Sequence, residues 1–327
     1  MAFPSADHYV WPSAGGSDDG TSWEDAWVSL QSAFDNVSAG DVVYCRGTET
    51  LSAKLDIDTT DGTAANPIIF IGCDSSGTPG DDVFTVDGDS TAQHCIDDSS
   101  KDYYHFYYFR FTGATSSCVD HGNSSHYGWR YDHCLFDDAG ARGHNAYSSY
   151  YGLHLHCVYR DNTDAGIYWP GVNNWHAFCL AEGNGKYGFF GGTRSSYYGC
   201  LSYENTYEGF LTGYGGSFFF NCVAADNSQD GIEISSNYNL ILGCRICGNT
   251  LYGIYSDTSD PRNYEDYNVF EANSSGDYYQ MTTENEHPSN SDYSPADDGF
   301  VDSANDDYNV KSGAEIRSTA ILLNWDE

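Results

Sequence analysis

The stretch FFFNCVAADNSQDGIEI, residues 218–234, sets a cysteine inside an apolar run, five residues ahead of an asparagine and nine ahead of a glycine. The same arrangement returns in CVYRDNTDAGI from residue 157, CLAEGNGKYGF from 179, CLSYENTYEGF from 200 and CRICGNTLYGI from 244. Cys134, Cys157, Cys179, Cys200, Cys222 and Cys244 thus recur every 21 to 23 residues. Cys73, Cys95 and Cys118 extend the spacing upstream. A fixed period of this size without a helical 3.6-residue pattern predicts a β-solenoid with one coil per repeat. Short β-rich pieces such as GIEIS and NLILGC supply two or three strands per coil, separated by polar turns.

Stacking identical coils in parallel puts equivalent residues about 4.8 Å apart, which gives each repeated position a role. The cysteines at 157, 179, 200, 222 and 244 fill a narrow core as small apolar side chains. Ile167, Phe189, Phe210, Ile232 and Ile254 form a second inward row. Asn162, Asn184, Asn205, Asn227 and Asn249 stack in a turn and hydrogen-bond from coil to coil. Gly166, Gly188, Gly209, Gly231 and Gly253 are expected to supply the backbone angles at which the chain re-enters a strand. In-register thiols point the same way, so disulfides between coils are not expected.

The rest of the chain frames these coils. TSWEDAWVSLQSAFDNV, from Thr21, spaces Trp23, Trp27, Leu30 and Phe34 as a helix with Thr21 or Ser22 as N-cap. Such a helix would cover the open first coil, an unpaired edge otherwise. The expected organisation is a capping segment over residues 1–40, coils over 41–275 and a terminal cap over 276–327.

Composition narrows function. With 48 acidic and 13 basic residues the net charge is −35, which opposes binding to nucleic acid. The same charge disfavours anionic polysaccharides unless cations bridge the two. No apolar run of about 20 residues is present to span a membrane, and MAFPSADHYVW lacks the pattern of a secretory signal. Eleven cysteines, an odd count, argue against a complete disulfide framework and fit a reducing cytosol.

The opening YVWPSAGGSDDGTSWEDAWVSLQSAFDNVSAGDVVYCRG, the Cys–Asn–Gly coils and the closing DDGFVDSANDDYNVKSG resemble the right-handed parallel β-helix, or pectate-lyase-like, superfamily. The resemblance implies an all-β chain forming a single right-handed parallel β-helix with an N-terminal capping helix. That fold hosts lyases, hydrolases, epimerases and viral spikes, so it fixes no activity. Cys134 has Ala139 in place of the ladder asparagine, so that coil departs from the pattern. The absent signal and reduced cysteines look most like phage or marine-virus particle proteins. The first expectation is therefore a non-enzymatic virion surface protein made in the host cytoplasm, a homotrimer that contacts other virion proteins and cell-surface polysaccharide. The alternative is a polysaccharide-cleaving enzyme of the same fold, a lyase or glycoside hydrolase acting outside the cell.

Candidate site residues follow from position. Lyases of this fold use a Lys or Arg base; Arg130, Arg142 and Arg160 are available, but none lies in a recognisable motif. The Gly-His-Gly and Arg-x-Lys motifs of polygalacturonase-type enzymes are absent. Hydrolysis needs only two carboxylates at the correct separation. His133 and His156 precede a cysteine by one residue, and His154 and His176 by three. If the cysteines point inward, strict alternation puts all four imidazoles on one exposed face, able to bind a transition metal. Tyr168, Phe190, Leu211 and Tyr255, with Glu233 among them, should form an outward apolar strip suited to subunit contact or sugar stacking. Asp161, Glu204 and Asp226 are turn positions able to hold Ca²⁺, and Cys244 with Cys247 is a lone CxxC. No cofactor or metal is firmly indicated.

Overall fold

The computed structural model describes residues 3–80, 82–98, 100–122, 125–147, 149–257, 262–280, 300–302 and 307–310. The chain divides into two compact units, Met1–Gly171 and Val172–Glu327. In the second unit, Trp175–Ala177, Leu180–Glu182 and Phe189–Thr193 make one coil, repeated as Ser196–Tyr198, Leu201–Tyr203 and Phe210–Thr212. Each strand pairs in parallel with its counterpart one coil on: Tyr197 faces Phe219, Leu201 faces Val223 and Phe189 faces Phe210. Every coil thus lays one strand on each of three sheets, here called the first, second and third faces. The first unit follows the same plan. Its opening strand, His8–Val10, pairs with Val42–Arg46 at the edge of the first face, ahead of the earliest second-face strand, Thr48–Thr50.

Two residues per coil turn the chain from face to face. The residue before each corner cysteine, or before Asn268 where that residue takes the cysteine's place, and the residue before each ladder asparagine adopt the left-handed region. In the second unit the first corner falls on Phe178, Gly199, Asn221, Gly243 and Tyr267, with φ from 52° to 64°. The second falls on Gly183, Glu204, Asp226, Gly248 and Ala272, with φ from 51° to 67°. A single left-handed residue bends a strand sharply and breaks its two-residue alternation.

The inward rows match expectation. Ile167, Phe189, Phe210, Ile232 and Ile254 are all fully buried, and Phe189 stacks on Phe210 at 5.0 Å. All eleven cysteines are buried free thiols. Cys157, Cys179, Cys200, Cys222 and Cys244 each stand at the corner ahead of a second-face strand. Their thiols donate to core carbonyls, Cys200 to His176 at 3.4 Å and Cys222 to Tyr197 at 3.5 Å. The upstream series is a correction: Cys95 and Cys118 stand ahead of third-face strands, and Cys73 ends a first-face strand. The spacing holds from Cys95 to Cys118, on one corner, and shortens to 16 residues before Cys134, where the occupied corner changes.

The asparagine ladder is continuous in the second unit. Asn184, Asn205, Asn227 and Asn249 each donate an amide hydrogen to the Oδ1 of the asparagine one coil on, at 2.9–3.0 Å, ending on Asn273. The same Oδ1 atoms accept the backbone N–H of the preceding rung at 3.1–3.2 Å. In the first unit Asn162 accepts from the Ala139 N–H at 3.1 Å, so the coil lacking an asparagine is still capped from the next.

The glycines sit where expected for a different reason. Gly188, Gly209, Gly231 and Gly253 do not have positive φ. They are small because the ladder is close: a Cβ on Gly209 would lie 2.7 Å from Asn227 Nδ2 and 2.8 Å from the Gly231 carbonyl.

The N-terminal helix is shorter than expected. It spans Leu30–Asn36, with Ser29 rather than Thr21 or Ser22 as N-cap, and buries Leu30, Ala33 and Phe34. Phe34 meets Phe70 edge-on at 5.2 Å. Trp27 instead bridges to Val10 as extended chain, which stops the helix from starting earlier. Of the expected C-terminal cap, Phe300–Asp302 and Asp307–Val310 form an antiparallel pair; residues 281–299, 303–306 and 311–327 lie outside the described residues. No helix among the described residues is long and apolar enough to cross a membrane.

Candidate functional site

The four expected histidines divide into two pairs. His154 and His176 are 0% and 1% exposed, whereas the side chains of His133 and His156 are 42% and 45% exposed. The left-handed residue ahead of each cysteine is the cause, because it puts the third residue before the cysteine on the same inward side. His154 lies 5.0 Å from Tyr131, which stacks on Phe106 at 5.6 Å. His176 lies 5.0 Å from Tyr197, which stacks on Phe219 at 4.9 Å. Burial lowers the His176 pKa to about 3, so it packs as a neutral ring. His133 and His156 occupy the corners themselves, 4.5 Å apart, and both reach Asp132 Oδ1, at 2.8 and 3.3 Å. Burial raises the Asp132 pKa, but hydrogen bonds from His133, Arg130 and His156 outweigh it and leave it below the ordinary value.

The other expected positions are engaged or dispersed. Arg160 approaches Asp137 at 3.5 Å, a carboxylate that Arg110 already holds with two hydrogen bonds of 3.0 and 2.9 Å. Arg130 pairs with Asp132, and Arg142 pairs with Asp164 and covers the Tyr168 ring at 3.8 Å. Asp161, Glu204 and Asp226 are left-handed corner residues outside the three convergent Asp/Glu/His clusters among the described residues. Cys244 donates to the Leu242 carbonyl, while Cys247 joins Leu201, Tyr203 and Ala225 in a separate cluster, so the CxxC does not converge.

The apolar strip is also corrected. Leu211 is only 8% exposed, and Glu233 separates it from Tyr255 in register. What the third face of the second unit presents instead is acidic. Glu208 and Asp230 each precede a coil glycine, just ahead of the adjacent strands Phe210–Thr212 and Ile232–Ile234, and Glu233 lies one strand position beyond the inward Ile232. One carboxylate oxygen from each lies within 4.8 Å of the other two. Aromatic rings stand on both sides, on neighbouring strands of the same face and in the turns ahead of them. Tyr187 packs on Phe190 and Tyr207 at 5.8 Å from each. On the other side, Tyr255 stacks on Tyr279 at 4.9 Å and Tyr252 lies 5.1 Å from Tyr279.

This cluster has the electrostatics of a working site. Burial, reinforced by the Glu233 charge, pushes the Glu208 pKa from 4.5 up to about 8. Burial, then the charges of Asp257 and Asp230, raises that of Glu233. Burial also raises that of Asp230, although its Oδ1 accepts the Tyr252 N–H at 2.7 Å. Three carboxyls this close cannot all ionise cheaply, so at neutral pH Glu208 keeps its proton and can donate it. The trio could alternatively bind a hard cation through oxygen. The sequence hid the cluster because 48 acidic residues obscure any three, although Glu208 and Asp230 share one place in successive repeats.

A stability effect follows. A carboxyl whose pKa is raised on folding favours the folded state while protonated, and this contribution falls as pH rises from about 4.5 through about 8. Glu208→Gln should reduce the dependence to what the raised Asp230 and Glu233 still contribute. Urea unfolding across this range should show the variant overtaking the wild type, by on the order of 2 kcal/mol once Glu208 is ionised.

Comparison with known proteins agrees with this architecture. The family described as right handed beta helix region matches residues 155–291. A pectate lyase, Pel9A, superposes with a TM-score of 0.72 at 16% identity, covering 95% of this chain and 91% of its own. A rhamnogalacturonan lyase superposes with a TM-score of 0.51 at 18% identity, covering 81% of this chain and 73% of its own. No curated protein matches in sequence. The chain has the right-handed parallel, pectate-lyase-like β-helix fold.

Proposed function

We propose that this right-handed parallel β-helix binds a polysaccharide across the third face of its second unit and cleaves it by acid–base hydrolysis. The observation that carries the reading is the carboxyl trio, with Glu208 and Asp230 buried and Glu233 half-buried, and aromatic rings on both sides. Tyr and Phe rings present flat apolar faces on which sugar rings stack, and the rings on either side suit a chain that runs past the carboxyls. Glu208, protonated at neutral pH, is the acid that donates to the glycosidic oxygen. Asp230, fixed by the Tyr252 N–H, is the carboxylate that stabilises positive charge at the sugar or directs water to it. Three acids favour a neutral glycan over a uronate polymer, even though the two lyases similar in fold are named for pectic polymers.

The test is a panel of neutral and uronate polysaccharides assayed for new reducing ends, with binding measured on the same polymers. Hydrolysis of a neutral glycan without unsaturated sugars, reduced at least about 100-fold in Glu208→Gln, is expected. Tyr255→Ala should weaken binding to the same glycan. Retained binding with intact polymer across the panel would leave a glycan-binding particle protein. Unsaturated products from a uronate polymer would replace hydrolysis with elimination.

A further inference from the structure

We propose that Asp98, His121 and His126 form a buried site for a divalent transition-metal ion that consolidates the first unit. Asp98 ends the third-face strand Ile96–Asp98, and His121 follows Val119–Asp120, which pairs with it in register through Asp120 and Asp97. His126 starts the short strand His126–Tyr127. All three side chains are fully excluded from solvent. Asp98 Oδ2 lies 3.1 Å from His121 Nδ1 and 2.5 Å from His126 Nδ1, so two imidazole nitrogens approach one carboxylate oxygen.

The His126 approach lacks the alignment of a hydrogen bond, and neither of its ring nitrogens has a well-aligned partner. Two nitrogens and an oxygen at bond lengths of about 2.0–2.2 Å around a tetrahedral ion would be roughly 3.3 Å apart. The Asp98–His121 distance is near that value, and His126 reaches it with a shift below about 1 Å.

The surroundings also suit a ligand set. The Lys101 N–H donates to Asp98 Oδ1 at 2.9 Å, leaving Oδ2 for the ion. The Tyr131 hydroxyl lies 3.3 Å from His121 Nε2, where it can fix the tautomer that frees Nδ1. Two neutral imidazoles and one carboxylate match cobalt, nickel or zinc better than calcium. An ion at this depth enters while the chain folds. The competing arrangement is metal-free, with a protonated His126 paired to Asp98.

Buried Asp132 with the exposed His133 and His156 offers the same donor types and so serves as an internal control, with Asp132 already held by Arg130 at 2.7 Å. The chain is produced in minimal medium with Co²⁺ as the added transition metal, then desalted and analysed for bound cobalt. One retained equivalent with a tetrahedral visible spectrum is expected. It should fall at least 10-fold in His126→Gln and Asp98→Asn, and persist in His133→Ala with His156→Ala. If the buried variants do not fold, proton resonances of the wild type decide. Paramagnetic broadening should centre on Trp129, whose ring lies 4.3 Å from His121, rather than on Tyr108, stacked 4.7 Å from His133. No retained cobalt, or broadening centred on Tyr108, overturns the proposal.

Discussion

Replacing Asn227 by Leu should destabilise the protein by roughly 4 kcal/mol, because one side chain serves two neighbouring rungs. Asn227 Oδ1 accepts from the Asn205 N–H at 3.2 Å and from Asn205 Nδ2 at 3.0 Å. Its Nδ2 donates to Asn249 Oδ1 at 3.0 Å and to the Ser202 carbonyl at 3.2 Å. Leucine removes all four bonds and leaves buried donors and acceptors with no water to replace them. Each such orphan costs about 1–3 kcal/mol, although Asn249 Oδ1 keeps the N–H of residue 227. Urea unfolding monitored by tyrosine and tryptophan fluorescence measures the loss. A change below about 1 kcal/mol would mean that the ladder bonds are no better than those made with water.

Gly231→Ala should be nearly as damaging, by roughly 3 kcal/mol, although it adds one methyl group to a residue without positive φ. The new Cβ would lie 2.5 Å from Ile246 Cγ2, 2.8 Å from Asn249 Nδ2 and 2.8 Å from the Gly253 carbonyl. Ile246 could rotate away, but the amide and the carbonyl belong to the next coil and cannot move without breaking its ladder. Gly15→Ala is the matched control, since nothing lies within 4 Å of its added Cβ. That change should be neutral or slightly stabilising, because alanine restricts the unfolded chain more than glycine does. Equal melting temperatures for the two variants would show that the coils can spread at Gly231.

These two sites mark how far the sequence could be read. The period, the inward Ile/Phe row, the asparagine ladder and the free thiols are legible because each repeats at a fixed place in the five coils that contain Cys157, Cys179, Cys200, Cys222 and Cys244. The direction of side chains near the corners is not. A single left-handed residue such as His156 or Phe178 resets the alternation, and no residue type marks it, since Phe, Asn, Gly and Tyr all occupy that corner. Strict alternation therefore puts His154 and His176 outside, whereas both pack among buried aromatic rings. Asp98 and His121 each follow a cysteine by three residues, Cys95 and Cys118, but His126 starts a separate short strand, His126–Tyr127, that no repeated position marks. Glu208, Asp230 and Glu233 were hidden by the acidity of the whole chain.

The way one coil caps the next has a consequence for how such a chain can change length. Each ladder asparagine in the second unit offers the same acceptor to the coil before it and the same donor to the coil after it. A rung is thus interchangeable with its neighbours. Duplicating one whole repeat, such as residues 200–221, would add a coil whose every bond already exists elsewhere in the stack. Inserting one residue in a strand would turn its inward side chains outward and misalign both corners at once. Heritable length variation should therefore come in whole turns, while the outer face of each turn stays free to diversify.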